Sequence, residues 1–354
     1  MRSAYFDRHG GPEVLTIGDL PEPAVRPGTV KIDVAAASLN HIDLFVRRGM
    51  PGIEVPMPHI PGCDAAGVVA EVGEGVTHVA PGDRVLMNPS ISCGRCEFCV
   101  RGDATLCLSY QLIGETTNGT CCERIVVPAE NAIPIPDHLS FTDAASLPLV
   151  FVTAWRMLIT RARLRAGETV LVLGASAGVG IACVQIAKVA GARVLAAASS
   201  AEKLALCEEL GADVLIDYAR EDLVRKVREL TDKRGVDVVV DYVGEDTWVS
   251  SLRSLARGGR LVTCGATTGY NAQTDLRHVF YRQLDILGST MGSRNELMAP
   301  LRLVFAGRMR AVVGAVYDLE EIAEAHRAME ERRVLGKAVI QVNKEPTRKG
   351  RRPR

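Results

Sequence analysis

Short apolar runs separated by Gly and Pro clusters dominate the chain from residue 1 to about residue 135. The runs at 29–39, 65–76, 83–88 and 123–128 are rich in β-branched residues, a composition typical of short strands. We therefore predict a small, barrel-like β domain in this part of the chain.

The hydrophobic pattern changes its period after Pro136. Ser140 is followed three residues later by Asp143, an arrangement that predicts a helix N-terminus. From Glu168 onward, continuous apolar strands alternate with amphipathic helical stretches. Because a parallel sheet covered on both faces requires that alternation, residues 150–290 are predicted to form a doubly wound α/β domain.

The remaining chain divides into a return segment and a basic tail. Residues 291–343 hold two helical and two strand patterns, too few for a domain, so we expect them to complete the first domain, 1–149. Residues 344–354 carry six Lys or Arg against one Glu and no apolar anchor. We predict a disordered solubilising extension, with weak binding to nucleic acid or an acidic surface as the alternative.

Composition narrows the class of protein. With 354 residues, 47% apolar and 24% charged, the chain is typical of two globular domains. No run approaches the ~18 apolar residues of a membrane span, and the N-terminus lacks the apolar core of a secretory signal. We therefore expect a reducing cytoplasm, in which the ten cysteines serve as thiols or metal ligands. The net charge is zero and basic residues cluster only in the tail, which disfavours nucleic-acid binding.

Four cysteines have the spacing C-x2-C-x2-C-x7-C: Cys93, Cys96, Cys99 and Cys107. Thiolates at this spacing converge on one tetrahedral ion, so the pattern predicts one zinc. Four thiolates leave no open coordination position, and the predicted role of that zinc is structural. The alternative is four unrelated thiols.

A Gly-rich turn follows the apolar strand 169–174 and precedes a helix. Small residues there let a pyrophosphate approach the backbone, and the helix N-terminus supplies N–H donors. The predicted binding residues are Ser176, Ala177, Gly178, Val179 and Gly180. The alternative is a turn that serves only the packing of helix on strand.

The end of the next strand indicates the choice of cofactor. NAD enzymes typically place an acid there for the ribose hydroxyls, whereas this chain has Ser199, Ser200 and Lys203. Hydroxyls and a lysine suit a 2′-phosphate, which Tyr218 is placed to cover, so we expect NADPH rather than NADH. Ser200 alternatively serves only as the cap of the next helix.

Several segments together resemble the medium-chain dehydrogenase/reductase family: ASLNHIDLFVRRG, PGCDAAGVVAEVG, VAPGDRV, the cysteine lobe, LPLVFVTAW and GASAGVG. The resemblance covers nearly the whole chain. It implies a GroES-like catalytic domain and a Rossmann domain with the active site between them. It also implies a small-molecule substrate and a homodimer or homotetramer.

The resemblance also bears on a second, catalytic zinc. At the three positions where the family's alcohol dehydrogenases carry ligands, this chain has Asn40, Cys63 and Leu149. Of these, only Cys63 is able to ligate zinc, so we expect no catalytic zinc, because such a site needs three protein ligands. A rearranged site that uses Cys63, Asp64 and a histidine stays open, as does a buried, inert thiol at Cys63.

Loss of the catalytic metal with retention of NADPH resembles the quinone oxidoreductase and enoyl reductase branches. The resemblance therefore implies hydride transfer to an enone, a quinone or an enoyl thioester, whose enolate oxygen needs a hydrogen-bond donor. The alternatives are a zinc-dependent alcohol dehydrogenase with a rearranged metal site, and a non-catalytic protein of this fold that binds NADPH or nucleic acid.

Four residues are candidates for the catalytic site by resemblance. Asn40 is the candidate donor to the substrate carbonyl or the nicotinamide amide, or else a turn cap. His41 matches a position that faces the cofactor phosphates, or is a surface histidine. Asp43 is expected to be a structural hydrogen-bonding group rather than a base. Thr153 matches a position near the nicotinamide, or is a core threonine bonded to its own helix.

The remaining cofactor candidates follow two later strands and include one lysine. The first four, Gly265, Ala266, Ser289 and Thr290, are expected with Met291 at the carboxyl edge of the sheet, where open α/β domains bind ligands. The resemblance places these backbone groups beside the ribose and the carboxamide. Lys337 resembles a basic position that reaches the pyrophosphate, or is a solvated surface lysine.

Overall fold

A computed structural model describes residues 1–343, so the predicted basic tail lies outside the described residues. The chain divides into two compact units. The first unit contains Met1–Leu149 and the segment that begins at Arg310, and the second unit is Val150–Met309.

The strands are numbered along the chain. They are β1 (Arg2–Tyr5), β2 (Thr16–Asp19), β3 (Thr29–Ser38), β4 (Asp64–Val72), β5 (Arg84–Met87), β6 (Ser90–Ile91), β7 (Gln111–Leu112), β8 (Arg124–Pro128), β9 (Ala132–Pro134), β10 (Thr169–Leu173), β11 (Arg193–Ala198), β12 (Val214–Asp217), β13 (Val236–Val240), β14 (Leu255–Thr263), β15 (Asp285–Gly288), β16 (Val313–Asp318) and β17 (Lys337–Gln341).

The helices follow the same numbering. They are α1 (His41–Arg48), α2 (Glu97–Val100), α3 (Phe141–Ala145), α4 (Pro148–Trp155), α5 (Gly178–Val189), α6 (Ala201–Glu209), α7 (Leu223–Leu230), α8 (Trp248–Ser254), α9 (Leu276–Arg282), α10 (Arg294–Phe305) and α11 (Ile322–Glu330). A π-helical segment, Arg156–Arg161, continues α4, and 3-10 turns lie at Pro12–Val14, Ala104–Leu106, Ala129–Asn131 and Leu319–Glu321.

The main sheet of the first unit has the order β16-β17-β3-β4-β5-β9, and β8 also pairs with β3. The first half of β3 alternates buried and half-buried residues and pairs with β8, whereas its last five residues are all buried. This end of β3 pairs antiparallel with β17, where Ser38 lies opposite Val339. That register brings the start of β17 beside the residues that follow β3.

Helix α1 interrupts the first part of the chain, where we expected strands alone. Asn40 occupies its N-cap position with an extended backbone, and Asp43, in the first turn, accepts a hydrogen bond from the Asn40 backbone N–H at 2.6 Å. Gly49, at φ 94°, ends the helix because a left-handed backbone suits glycine. Local capping chemistry therefore overrides the β-rich surroundings.

The second unit contains the predicted doubly wound parallel sheet, in the order β12-β11-β10-β13-β14-β15. Consecutive residues of β10, β11 and β13 are buried, so both faces of these strands are covered. The predicted combination of a β-rich domain and a doubly wound parallel-sheet domain is confirmed. The predicted helix N-terminus is also present, because the Ser140 side chain accepts from the Asp143 N–H at the start of α3.

Residues 291–309 belong to the second unit rather than to the return segment. Helix α10 buries Leu297, Leu301 and Val304, and Glu296 is hydrogen-bonded to Arg156 of the same unit. The return segment therefore begins at Arg310 and not at Met291. The predicted start of the return segment was therefore wrong by the length of α10, because a helical pattern alone does not tell which core a helix packs against.

Across residues 1–343, no helix combines the length and the apolar character that a membrane span requires.

Candidate functional site

The four predicted zinc ligands converge at one place in the first unit. The sulfur atoms of Cys93, Cys96, Cys99 and Cys107 all lie within 4.8 Å of one another. Backbone N–H groups donate to two of these sulfurs: Cys96 to Cys93 at 3.4 Å, and Cys93 to Cys107 at 3.3 Å. Four thiolates with supporting N–H donors fit a tetrahedral zinc ion. Within residues 1–343, no second group of three or more His, Cys, Asp or Glu side chains converges in this way.

A buried polar cluster lies where β3, β4 and β17 meet. The Asp64 carboxylate accepts hydrogen bonds from the Asn40 side-chain amide at 2.9 Å and from the Leu149 backbone N–H at 2.9 Å. The Lys337 ammonium donates to the Leu39 carbonyl at 2.8 Å and to the Asn40 amide oxygen, and it lies 3.4 Å from Asp64. Asp64 is fully buried, and Asn40 and Lys337 are 6% and 3% exposed.

Lys337 and Asp64 form a buried ion pair. Burial lowers the pKa of Lys337 and raises that of Asp64, while the charge of each partner opposes the shift of the other. Three acceptors surround the Lys337 nitrogen, the number that an ammonium group satisfies, and donors surround the Asp64 carboxylate. The hydrogen-bond pattern therefore matches the charged forms. Lys337 is not the solvated surface lysine of the alternative interpretation.

Asp43 and Cys63 form a second layer beneath this cluster, and both are fully buried. Asp43 accepts from the backbone N–H groups of Asn40 and Gly62 at 2.6 and 2.9 Å, and the Cys63 thiol lies 3.6 Å from its carboxylate. Burial raises the pKa of Asp43 to about 6 and the pKa of Cys63 well above its usual value. Cys63 therefore acts as a neutral thiol donor to Asp43.

His41, the first residue of α1, has an exposed side chain. Partial desolvation lowers its pKa, and the positive charges of Lys337, Arg332 and Arg48 lower it further. His59, by contrast, is fully buried, and its Nε2 atom lies 3.1 Å from the Gly114 carbonyl oxygen. In the described part of the chain, neither histidine joins Cys63 and Asp64 in a metal-binding group.

The Gly-rich turn of the second unit joins β10 to α5. The Ala177 N–H donates to the Gly174 carbonyl at 2.9 Å, and no side chain among residues 1–343 caps the α5 N-terminus. A Cβ atom at Gly180 would lie 2.4 Å from the Gly174 oxygen, so only glycine fits. Free first-turn N–H groups and a backbone of small residues form a cradle that fits the pyrophosphate of a dinucleotide.

Tyr242, which we did not predict, supports this turn, and its neighbour Asp241, also not predicted, holds the segment that follows β13. The Tyr242 hydroxyl donates to the Gly174 carbonyl at 2.7 Å. The preceding residue, Asp241, is fully buried and accepts hydrogen bonds from the Val243 and Gly244 backbone and from the Thr247 and Ser251 side chains. The sequence held a signal for this arrangement, since a carboxylate directly follows the buried strand β13.

The predicted phosphate-binding residues lie together after β11 and β12. Ser200 accepts a hydrogen bond from the Lys203 N–H at 3.4 Å and so caps α6, which is the alternative role considered for it above. The Lys203 ammonium lies 3.3 Å from the Ser199 hydroxyl, and Tyr218 is 41% exposed. The structure therefore joins one hydroxyl and one cation at the end of β11, while Ser200 serves mainly the helix.

The remaining predicted cofactor residues follow β14 and β15 at the carboxyl edge of the sheet. The Ser289 N–H donates to the Thr263 carbonyl at 2.9 Å and so holds the two strand ends together. The buried Thr153 hydroxyl lies 3.9 Å from the Met291 sulfur. Gly265 and Ala266 follow β14, and Thr290, between Ser289 and Met291, is exposed.

Comparison with known proteins identifies the family. Residues 178–306 match the family model described as zinc-binding dehydrogenase, and residues 26–137 match the alcohol dehydrogenase GroES-like domain. The acryloyl-coenzyme A reductase of Metallosphaera sedula is 34% identical over 335 residues, which cover 93% of this chain and 96% of that protein. The chain belongs to the medium-chain dehydrogenase/reductase family.

Other members of the medium-chain dehydrogenase/reductase family are similar over almost the whole chain. The quinone oxidoreductase of Rattus norvegicus is 31% identical, with 92% of this chain and 93% of that protein covered. A solved structure described as an NAD-dependent alcohol dehydrogenase is 47% identical, with a TM-score of 0.94 over 97% of this chain and 100% of that one. The expected enzyme class, oxidoreductase, is confirmed.

Three residues stand where, by resemblance, the family's alcohol dehydrogenases carry the ligands of a catalytic zinc: Asn40, Cys63 and Leu149. Both polar ends of the Asn40 amide are engaged, Cys63 is a buried thiol beside Asp43, and Leu149 contributes a backbone N–H donor. A positively charged lysine and an N–H donor therefore surround Asp64 where a rearranged zinc would need acceptors. The expected lack of a catalytic zinc stays a prediction.

Proposed function

We propose that the protein is an NADPH-dependent reductase of activated double bonds or quinones. The observation that carries the proposal is the buried network of Asn40, Asp64 and Lys337. This network supplies a fixed cation and an oriented amide where the family's alcohol dehydrogenases carry metal ligands. Without a Lewis acid, reduction of a conjugated carbonyl or quinone is easier than reduction of a simple ketone.

The second unit is the proposed dinucleotide site. The N–H groups at the start of α5 bind the pyrophosphate, and Ser199 with Lys203 binds the 2′-phosphate. The reduced nicotinamide, when bound, supplies the hydride. The chain's own groups at the carboxyl edge, from β14 and β15, hold the ribose and the carboxamide in place.

In the first unit, Asn40 is the proposed donor to the substrate. Its amide nitrogen carries two hydrogens, and Asp64 accepts one of them. The second hydrogen has no partner among residues 1–343. It is therefore suited to stabilise the enolate oxygen that develops when hydride reaches the β-carbon, after which the α-carbon takes a proton from solvent or from a side chain.

An alcohol dehydrogenase is the second candidate function. It is favoured by the 47% identity to the structure described as an NAD-dependent alcohol dehydrogenase. That similarity also favours NADH, whereas Ser199 and Lys203 favour NADPH through their hydroxyl and their charge. The two proposals differ in cofactor, in substrate and in the number of metal ions.

One screen distinguishes the two candidates. Oxidation of NADPH and of NADH is followed with quinones, enones, crotonyl thioesters and aldehydes, and zinc per chain is measured on the same sample. The expected result is NADPH oxidation by a quinone, enone or thioester with one zinc per chain. Preference for aldehydes with two zinc ions per chain would replace the first proposal by the second.

We also propose that the chain forms a homodimer or homotetramer. Strand β15 is an edge strand of the parallel sheet, and Ile286 on it is 39% exposed. The helix before it, α9, exposes Leu276, Phe280 and Tyr281 to at least 68%. Exposed edges and apolar patches of this kind are usually covered by a partner. Light scattering is expected to give two or four times 38.1 kDa, and a monomer at 38.1 kDa would exclude the proposal.

A further inference from the structure

The turn after β15 contains a residue in an unfavourable backbone conformation. Met291 has φ 45°, in the left-handed region that bulky side chains avoid, and its side chain is only 7% exposed. Such a conformation persists only where the surrounding contacts determine it. The contacts around Met291 therefore show which residues fix the conformation of this turn.

Helix α4 supports the turn from one side. The Thr153 hydroxyl lies 3.9 Å from the Met291 sulfur. A Cβ atom at Gly292 would lie 2.5 Å from a methyl carbon of Val152 and 3.2 Å from its carbonyl oxygen. The turn thus packs so closely on α4 that only glycine fits at position 292.

A buried ion pair fixes the end of the same turn. Arg156, 5% exposed, donates from Nη1 to both carboxylate oxygens of Glu296 at 3.0 and 2.9 Å. The Glu296 carboxylate also accepts from the Thr160 hydroxyl and from the Ser293 N–H, each at 2.6 Å. One carboxylate therefore ties the π-helical segment after α4 to the first turn of α10.

The turn that the Arg156–Glu296 pair, here called the clamp, holds against α4 contains a buried hydroxyl group. The Ser289 oxygen is buried and, within residues 1–343, has no hydrogen-bond partner. A buried polar atom without a partner costs free energy unless another group satisfies it. Ser289, Met291 and Glu296 lie within one stretch of eight residues that follows β15, and Arg156 holds this stretch from the segment after α4.

We propose that Arg156 and Glu296 are positioning residues for the cofactor. They hold the turn 289–292 against α4, so that the Ser289 hydroxyl and the neighbouring backbone groups are fixed before a nicotinamide nucleotide binds. Because the turn is set in advance, binding does not have to order it. This inference rests on the proposed function, in which the carboxyl edge of the second unit binds the dinucleotide.

The experiment measures cofactor binding directly, by titration of the full-length protein with NADPH and NADH, without any substrate. Arg156→Met is expected to raise the dissociation constant at least tenfold. Arg156→Lys, which keeps the charge, is expected to recover part of the lost affinity. Glu296→Gln keeps an acceptor for Thr160 and is expected to weaken binding to an intermediate extent, which provides a readout if Arg156→Met folds poorly.

The matched control is Arg260→Met. Arg260 pairs with Glu168 in the same unit and is similarly shielded, with the two side chains 12% and 22% exposed. This pair lies at the amino ends of the strands, where Glu168 precedes β10, so its loss should lower the thermal midpoint without changing the dissociation constant more than twofold.

The outcomes separate the inference from the function on which it rests. Unchanged nucleotide affinity in Arg156→Met and Glu296→Gln, with wild-type binding intact, would overturn the positioning role alone. An equal loss of affinity in Arg260→Met would also overturn it, because the effect would then reflect general stability. A wild-type protein that binds neither nucleotide would instead overturn the proposed function.

Discussion

The ammonium group of Lys337 donates a hydrogen bond to the amide oxygen of Asn40, a residue 297 positions earlier in the chain. The antiparallel register of β17 on β3 explains the contact, because Val339 opposite Ser38 carries Lys337 to the level of Asn40. Since the amide nitrogen of Asn40 donates to Asp64, the orientation of the whole amide is fixed. The ion pair therefore orients the proposed substrate donor without touching the substrate itself.

Lys337→Met is expected to lower both stability and turnover. The substitution leaves the buried Asp64 charge without its cation, a loss that costs about 3–5 kcal/mol of unfolding free energy in buried pairs. It also releases the Asn40 amide oxygen, so kcat should fall at least tenfold. Denaturant unfolding and steady-state kinetics measure the two effects.

The control for this variant is Lys31→Met. Lys31 pairs with Glu22 and Glu71 but is 14% exposed, beside half-exposed carboxylates, so its removal should cost less than about 1 kcal/mol. If Lys337→Met were no more destabilising than Lys31→Met and retained its kcat, the orienting role of Lys337 would be wrong.

Sequence patterns predicted the parts of the fold that depend on interactions between residues close together in the chain. The alternation of apolar strands and helices after Glu168 predicted the parallel sheet, since both faces must be covered. The spacing of the cysteines predicted their convergence, because seven residues suffice to bring Cys107 back to Cys99. In both cases the interacting residues lie close together in sequence or repeat with a fixed period.

These patterns did not predict contacts between residues that are far apart in the chain. Nothing within the segment GKAVIQV indicates that Lys337 faces Asn40 rather than solvent, because that contact depends on the pairing of β17 with β3. The same reason explains why α10 was assigned to the wrong unit, since its partner Arg156 lies 140 residues before Glu296. Tyr242 was missed because its role depends on a backbone carbonyl at Gly174, 68 residues away.

Lys203→Met is expected to impair NADPH more than NADH. The lysine lies beside Ser199 at the end of β11, and a hydrogen bond to a charged phosphate is worth roughly 1.5–3 kcal/mol, or about 10- to 100-fold in affinity. The KM for NADPH should rise by that factor, whereas the KM for NADH should change less than threefold. A matched control is Lys226→Met, which removes a partly exposed lysine paired with Glu221 on the surface. A parallel rise of both KM values would contradict the assignment of the 2′-phosphate site.

His326 is expected to make the protein less stable in acid. Its side chain is fully buried and its Nδ1 atom lies 3.0 Å from the Arg47 guanidinium; burial, and then the charge of Arg47, lower its pKa to about 3 from an ordinary value of 6.5. The unfolded chain therefore binds a proton below pH 6.5 that the folded chain does not. The His326 contribution is complete above pH 6.5 and is lost as the pH falls toward 3, by up to about 1.4 kcal/mol per pH unit.

The measurement is the unfolding free energy of the wild type and of His326→Gln at pH 7.5, 6.5 and 5.5. Glutamine keeps an acceptor for Arg47 but does not titrate. The wild type should lose stability relative to the variant between pH 6.5 and 5.5. A difference that stays constant over this range would show that His326 does not titrate as the buried geometry requires.

The cysteine cluster gives the last prediction, on metal content. We expect one zinc per wild-type chain and none in Cys99→Ser, because three thiolates and a hydroxyl bind zinc far more weakly than four thiolates. Since binding of a structural zinc contributes directly to folding, the thermal midpoint should fall by more than about 5 °C. Cys207→Ser is the control: Cys207 is a fully buried thiol of the second unit and no part of the cluster, so that variant should keep its zinc. Metal analysis and thermal unfolding check both variants, and retention of a full zinc by Cys99→Ser would contradict the proposed ligand set.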